Sequence, residues 1–510
     1  MKRIMVWISM FLFVGVLLCF TPACDINEPQ TEDNRQNTQK PEVYVVHSSH
    51  NLIGSWKTEY GVIREDGTLL LPIAYDRVQI LTDAATCEAV RLQSIETQVS
   101  DDVEKSEDIL EQYYQSMHMG EGEPFFVYRY QLYDLNGKAI GEPSDCGIRQ
   151  ICGDLTLYQN NRLVYSPTGE VLMDNCDSIT FGENSYIIVY EQYKKVRVLN
   201  ADLEVLLDVN GSESFIDSGG RVLIVTVGED GKQGLSLLDG TQLVPEEYDY
   251  FMTYYSVQAP YVQAVKDDIT SVISLSDGHV VYTAADNYEY VQELFDDFMV
   301  IQKRGEIEKE GSVWPVYEYT SQLYDYNGRP LGKIYRSLSP ENDLYQRTKA
   351  QTGKGVLLFR AEEMNGDRCF VDENGRVVYK IADGEWVSAL TENSLIVNNQ
   401  DWSFAELRNL GNEVLNKKEY ESINNLYLGA KGANGYYSRS DLAVGWYTYN
   451  NVQLADVLDA EGNILIERLK SVDMLSENRF WVEKGFSRGL MDREGNWIYE
   501  QTRFDSETDE

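Results

Sequence analysis

Gly485-Phe486-Ser487-Arg488-Gly489 matches the G-x-S-x-G pattern that in hydrolases lifts a serine nucleophile onto a sharp strand-to-helix turn. Such a serine needs a histidine later in the chain to take its proton, and the last histidine here is His279. His47 and His50 lie close together but lack the glutamate and helical setting of a zinc site, while His118 and His279 stand alone. Gly353-Lys354-Gly355 has neither the upstream glycine nor the downstream Ser or Thr of a phosphate loop. Among 83 acidic residues some pair will stand at a spacing suited to glycoside chemistry by chance, and sequence selects none. No catalytic residue, metal ligand or cofactor motif is therefore assigned. The expectation is a binding or scaffolding module rather than an enzyme. Its alternative is a hydrolase with an acidic site in a propeller channel, which would gather carboxylates of raised pKa at one mouth.

Contact chemistry is easier to place. The segment Leu428 to Asn451 is rich in Gly, Asn and aromatic residues, and Tyr436, Tyr437, Trp446, Tyr447 and Tyr449 make it the candidate binding surface. Aromatic rings offer large area at small entropy loss and suit peptides or glycans. The competing expectation is that these are ordinary strand residues facing a core. The net charge of −39 and the lack of any basic run exclude nucleic acid and anionic lipid surfaces as partners.

The elements that carry these residues follow from internal repetition. QLYDLNGKAIGE (Gln131 to Glu142) aligns without gaps with QLYDYNGRPLGK (Gln322 to Lys333), and YDRVQIL (Tyr75 to Leu81) with YEYVQEL (Tyr288 to Leu294). The common unit is an apolar run, a polar turn ending in glycine, and a second apolar run, often followed by Tyr-Asp or Tyr-Glu. The turn glycines are Gly67, Gly137, Gly169, Gly240, Gly278, Gly328, Gly375, Gly411, Gly462 and Gly495, with a degenerate copy around Asp202. Glycine suits a tight hairpin position that needs positive φ. Asp134, Asp325, Asp372, Asp459 and Asp492 each precede their glycine by three residues, where an aspartate side chain bonds the turn backbone. A calcium loop would need alternating acidic residues and a distant Glu, which no copy supplies.

About eleven units spaced by about 43 residues predict an all-β fold of tandem four-stranded repeats over 41–502, forming one or two β-propeller-like arrays. A β-hairpin solenoid is the alternative. The offset between the aligned pairs allows two halves meeting near 280–290, and the last copy, cut short after Tyr499, can close a ring by borrowing strands from Glu42 to Trp56. One short helix is expected at Ser100 to Met117, where Val103, Leu110, Tyr113, Tyr114 and Met117 keep near-helical spacing. Lys303 to Tyr319 reads as an extended hairpin. Cys87, Cys146, Cys152, Cys176 and Cys369 are irregularly spaced, with a bridge among Cys146, Cys152 and Cys176 open in an oxidising compartment.

Three units carry a stronger signature: YGVIREDGTLLLPIAYD from Tyr60, QGLSLLDGTQLVPEEYD from Gln233 and RGLMDREGNWIYE from Arg488. In each, a first glycine (Gly61, Gly234, Gly489) stands six residues before the turn glycine. The chain resembles the WG-repeat family, and the resemblance implies an all-β repeat protein, commonly at bacterial surfaces, with no shared reaction.

Upstream of the repeats, Lys2 and Arg3 precede an uncharged apolar run from Ile4 to Phe20, an export signal. Thr21-Pro22-Ala23-Cys24 resembles a bacterial lipobox, which implies cleavage after residue 23 and lipid on Cys24; an uncleaved signal anchor is the alternative. Residues 24–40 read as a polar tether and 503–510 as an acidic tail. The expected location is extracytoplasmic, held to the bacterial cell membrane, with an unknown protein, peptide or glycan as ligand.

Overall fold

Apolar residues alternate with polar ones in short runs between turns, and such runs pair with their sequence neighbours at the smallest loop-closure cost. In the computed structural model nearly every element is accordingly an antiparallel strand bonded to the next one in sequence. The structure describes residues 42–52, 55–84, 86, 88–100, 125–174, 176–181, 186–191, 195–216, 221–252, 260–307, 316–352, 355–401, 404–428 and 438–502.

The strands form eleven successive meander units, whose strands we letter a to d in chain order: unit 1, 43–75; unit 2, 77–144; unit 3, 148–173; unit 4, 178–210; unit 5, 211–248; unit 6, 250–283; unit 7, 289–335; unit 8, 337–381; unit 9, 385–409; unit 10, 422–469; and unit 11, 471–502. Unit 2 is typical: a, Arg77–Thr82; b, Ala89–Ser100; c, Phe125–Tyr133; d, Ala139–Ser144. Nine of the ten predicted turn glycines mark a c-to-d hairpin, and Gly411 follows strand c of unit 9, so the sequence motif ends where one unit hands over to the next. Units 1 and 9 show three strands each among the described residues, lacking a and d respectively. Units 4 and 5 share one long strand, Val205–Ile216, whose first part pairs with Lys195–Leu199 and whose second part pairs with Val222–Val227.

Nine of the ten predicted turn glycines have positive φ, from 71° at Gly375 to 87° at Gly67. Gly137 shows why no other residue fits: besides its φ of 77°, a Cβ there would lie 2.3 Å from the Leu70 carbonyl oxygen of the preceding unit. Gly411 departs from the expectation, because the left-handed position falls one residue later, on Asn412 (φ 67°). Asn409 there takes the aspartate's part, its Oδ1 accepting from the Glu413 N–H at 2.9 Å. The degenerate copy uses the same substitute, Asn200 with Leu203 at φ 65°. Asp134 Oδ1 accepts from the N–H groups of Asn136 and Lys138, both at 2.9 Å, and Asp325, Asp372 and Asp459 repeat the pattern.

Sheets stack face to face through apolar clusters, one for each adjacent pair of units. A further cluster joins unit 11 to unit 1, with Trp481 and Leu490 against Tyr44, Val46 and Ile63, so the array closes on itself as a ring. First strands of neighbouring units touch, and two pairs share parallel bridges, Asp83 with Ile151 and Leu428 with Met474. Strands d are partly exposed, Ala139–Ser144 along its whole length. Strands a therefore line the inner edge and strands d the rim.

Closure does not occur by the expected borrowing of strands. Val43–Leu52 pairs with Ser55–Arg64 of its own sheet, and unit 11 has its own four strands, ending with Trp497–Thr502. The two ends meet instead through side chains. Trp481 Nε1 donates to the His47 carbonyl at 2.8 Å, Tyr44 Oη and Ser476 Oγ share a hydrogen bond at 3.2 Å, and Arg479 pairs with Glu65 at 2.8 Å. Residues 280–290 hold the end of unit 6 and the start of unit 7, which share an apolar cluster like every other pair.

The expected helix at 100–117 falls almost wholly outside the described residues. The helix that is seen, α1 (Asn342–Thr352), stands between strands a and b of unit 8, where Leu344, Tyr345 and Thr348 are buried. The signal segment, Cys24, the tether, Cys87 and the acidic tail lie outside the described residues. Among the described cysteines, Cys146, Cys152, Cys176 and Cys369, no disulfide forms. No helix among the described residues is long and apolar enough to cross a membrane.

Candidate binding surface

A ring of meanders has two faces. One carries the a-to-b links and the c-to-d turns; the other carries the b-to-c turns and the crossings from each strand d to the next strand a. The predicted surface is divided between them. Tyr436 and Tyr437 lie outside the described residues, in the a-to-b link of unit 10. Strand b of that unit, Ser438–Tyr449, carries Trp446, Tyr447 and Tyr449 toward its other end, and twelve strand residues span about 35 Å. Trp446 packs toward unit 11 and Tyr447 toward unit 9, as period-two alternation requires. Tyr449 alone of the three is largely exposed, at 57 %, with the Arg468 guanidinium 6.0 Å from its ring centre.

Exposed aromatic residues, by contrast, gather on the b-c face. Tyr250, Tyr288 and Trp386 stand at the starts of strands a in units 6, 7 and 9; Tyr317 and Tyr319 rise on the long hairpin of unit 7; Phe404, Tyr449 and Phe486 sit at b-to-c turns. Of the described aromatic residues that are largely exposed, only Tyr427 lies elsewhere. Exposed aliphatic residues favour the opposite face, at the starts of strands d: Leu69, Ile140, Val171, Val280, Val377 and Ile464.

Unit 7 holds the densest group. Its strands b and c, Phe298–Ile307 and Val316–Asp325, extend past the neighbouring turns as the expected long hairpin, with 308–315 outside the described residues. The register sets Arg304 opposite Tyr319 and Gln302 opposite Tyr290, so these side chains share one side of the hairpin. The Arg304 guanidinium lies 5.0 Å from the Tyr288 ring centre and 4.6 Å from that of Tyr317. The neighbouring cation is already committed, since Lys303 Nζ contacts Glu289 at 2.6 Å, a carboxylate that also accepts from Tyr282 Oη. The lysine holds the Glu289 carboxyl below its ordinary range against the opposing effect of burial, the largest single influence on it.

Cations recur beside rings on this face. Arg77 lies 5.9 Å from the Tyr128 ring centre in unit 2, and Lys470 lies 5.6 Å from that of Phe486. In unit 10 Lys418 Nζ sits 3.1 Å from the Tyr447 ring centre, held by the fully buried Asp456 at 2.6 Å. Asp456 also accepts from Tyr420 Oη at 3.0 Å and from the Arg468 N–H at 2.9 Å, fixing the crossing between strands.

Features that would build a hydrolytic centre are dispersed. Burial pushes up the carboxyls of Glu293 and Asp473, the latter partly countered by His47 at 3.8 Å. These residues sit on inner strands of units 7 and 11, four places apart in the ring. Ser487 lies in a β-hairpin and donates to Glu500; the Ser-His geometry of a nucleophile is missing from its described contacts. His279 bonds Asp277 within its own turn at 2.5 Å. Open clefts on the a-b face include, among the described residues, one of about 280 Å³ beside Glu341 and Arg360 and one of about 440 Å³ among Arg347, Thr391, Asn409, Asp441 and Glu461. No group of three or more ligating side chains able to hold a metal occurs among the described residues.

Sequence reasoning marked Lys303 to Tyr319 only as a hairpin and missed Tyr288, Arg304, Trp386, Phe404 and Phe486. The usable signal was the tyrosine density of the unit 7 hairpin. Isolated rings such as Trp386 give none, since strand register decides whether they face out.

Residues 433–510 match a family model described as a domain of unknown function, DUF5046. No curated protein matches the sequence. Among solved structures, one titled as the eukaryotic initiation factor is 8 % identical with a TM-score of 0.35, covering 67 % of this chain and 93 % of that one. BamB from Moraxella catarrhalis is 12 % identical at a TM-score of 0.25, covering 62 % and 94 %. Hsv2p of Kluyveromyces lactis is 9 % identical at a TM-score of 0.23, covering 57 % and 91 %. Likeness this slight carries no argument about function.

Proposed function

We propose that this protein is a lipid-anchored binding or scaffolding module of the bacterial cell envelope, which engages its partner through the b-c face. The observation that carries the reading is the segregation of exposed rings onto that face, where removing aromatic area from water gives the largest return per side chain. The export signal and the lipobox-like Thr21-Pro22-Ala23-Cys24 support anchoring at Cys24 outside the cytoplasm, and the WG-repeat resemblance agrees with a surface role. Closed stacking of eleven meander units leaves a rigid frame on which turns can be varied without loss of the fold.

Two measurements test this. Incorporation of labelled fatty acid should be lost in Cys24→Ser; equal labelling of both would remove the anchor. Retention of the mature domain on native envelope fragments should drop at least tenfold in Trp386→Glu with Phe486→Glu, and stay unchanged in Asp441→Asn with Glu461→Gln on the opposite face. The reverse pattern would refute the assignment of the face.

A further inference from the structure

The long hairpins of units 2 and 7 repeat one device. Counting back from the turn glycines Gly137 and Gly328, Tyr128 and Tyr319 occupy the same position, and each stands beside an arginine: Arg77, 5.9 Å from the Tyr128 ring, and Arg304, opposite Tyr319 and close to Tyr288 and Tyr317. The arginine comes from strand a in unit 2 and from strand b in unit 7, so the pairing has been reached by different residues. Neither guanidinium has a carboxylate partner among the described residues, whereas Lys303, Arg336 and Arg408 nearby on the ring are ion-paired. Arg304 Nε is buried without a protein partner. Stacked rings occupy the faces of a guanidinium and leave its N–H edge, which matches a planar carboxylate bidentately. Units 2 and 7 are five places apart in a ring of eleven, as far round as two units can be, and both hairpins rise from the same face.

Resting on the binding-module reading, we infer that the two hairpins form a two-point receptor for a polysaccharide that carries a carboxylate on some of its sugars. Each arginine takes a carboxylate while the neighbouring tyrosines take the C–H face of an adjoining sugar. Two separated guanidinium sites are not the continuous basic footprint that nucleic acid requires, and a chain with a net charge of −39 would repel a densely charged polyanion. A polymer with widely spaced acid groups meets only the local cation, because at physiological ionic strength fields fade over about 8 Å.

The test is affinity electrophoresis of the mature domain in gels containing hyaluronate, with a uronate at every second sugar, neutral dextran, or poly-glutamate. Retardation is expected in hyaluronate alone. Arg304→Gln should weaken it at least tenfold, Tyr317→Ala with Tyr319→Ala at least fivefold, and Arg77→Gln with Arg304→Gln should abolish it. Lys138→Gln, with the same change of charge at a c-to-d turn on the opposite face, should leave it intact, and unchanged thermal unfolding of each variant separates binding from folding. Free glucuronate should compete at least a hundredfold more weakly than the polymer, the mark of two-point attachment. Equal retardation in poly-glutamate would overturn the glycan assignment in favour of an acidic polypeptide, and indifference to Arg304→Gln would overturn the site. If hyaluronate has no effect while Trp386→Glu with Phe486→Glu still abolishes envelope retention, the ligand class fails and the binding face stands; if neither responds, both fail.

Discussion

Trp481 is the residue on which closure of the ring depends most. It occupies the same place in strand b of unit 11 as Val444 in unit 10 and Gln93 in unit 2, each opposite the strand c residue five before the turn glycine. It is 3 % exposed, stacks on Tyr499 at 13° between ring planes, and donates to the His47 carbonyl at 2.8 Å. Trp481→Ala removes a buried indole worth about 3–5 kcal/mol and leaves that carbonyl without its donor. Because each sheet touches only its two neighbours, the loss should open the seam between units 1 and 11 rather than unfold the whole ring. A local cost of about 3 kcal/mol raises the open population by about two orders of magnitude. Hydrogen exchange read by mass spectrometry should therefore quicken about a hundredfold in Ser55–Arg64 and Ser487–Asp492 and hardly change in Val222–Val227. Val444→Ala, which deletes two methyl groups at about 0.8 kcal/mol each, should loosen units 10 and 11 and spare unit 1. Uniform acceleration across all units, or none in unit 1, would refute a ring closed by this contact.

Three further outcomes follow from named residues. Gly240→Ala meets nothing within 4 Å at φ 81° and should cost about 1–2 kcal/mol from backbone strain alone, whereas Gly137→Ala also strikes the Leu70 carbonyl and should cost clearly more; equal melting temperatures would contradict the packing of turns on the preceding sheet. Gln93 bonds both the N–H and the carbonyl of Ile148, so Gln93→Leu should destabilise by about 2–4 kcal/mol in denaturant titration, while Gln263, 1 % exposed with neither amide atom paired to protein, should tolerate Gln263→Met without loss. Backbone N–H bonds hold the Asp134 and Asp325 carboxyls below their unfolded value, so their stabilisation is complete above about pH 4 and is lost as pH falls through the lower folded values. Glu293 runs the other way: burial raises its folded value, so stability present with the neutral acid is lost as pH rises through that value. Glu293→Gln should then raise the melting temperature at pH 7 and not at pH 4, and a shift equal at both would exclude the titration.

The hairpin units were legible because their cause is local. Gly67 or Gly328 with its neighbouring aspartate specifies a turn from a handful of adjacent residues, and even the copy at Gly411 was located to within one residue. Pairing of the chain ends was anticipated, but its means was not, since nothing near Trp481 in sequence tells that its indole will meet His47, 434 residues away. Helix α1 escaped notice because its apolar side is narrow and its buried Leu344, Tyr345 and Thr348 are chosen by the sheets around it. The same dependence on register hid the binding surface: Trp446 and Tyr449 look alike in a Tyr-rich stretch, and only the strand ends decide that one is packed and the other open.

Strand b of unit 1 runs from Val43 toward its b-to-c turn, so the chain enters the ring at Glu42 on the face that bears α1 and the polar clefts. Strand d of unit 11 leaves at Thr502 on the opposite side. The proposed anchor at Cys24 would therefore pull on that lower surface, like a stalk beneath a plate. With such an anchor the tyrosine and arginine hairpins would be held upward and outward, where the proposed polymer would meet them before it met the support.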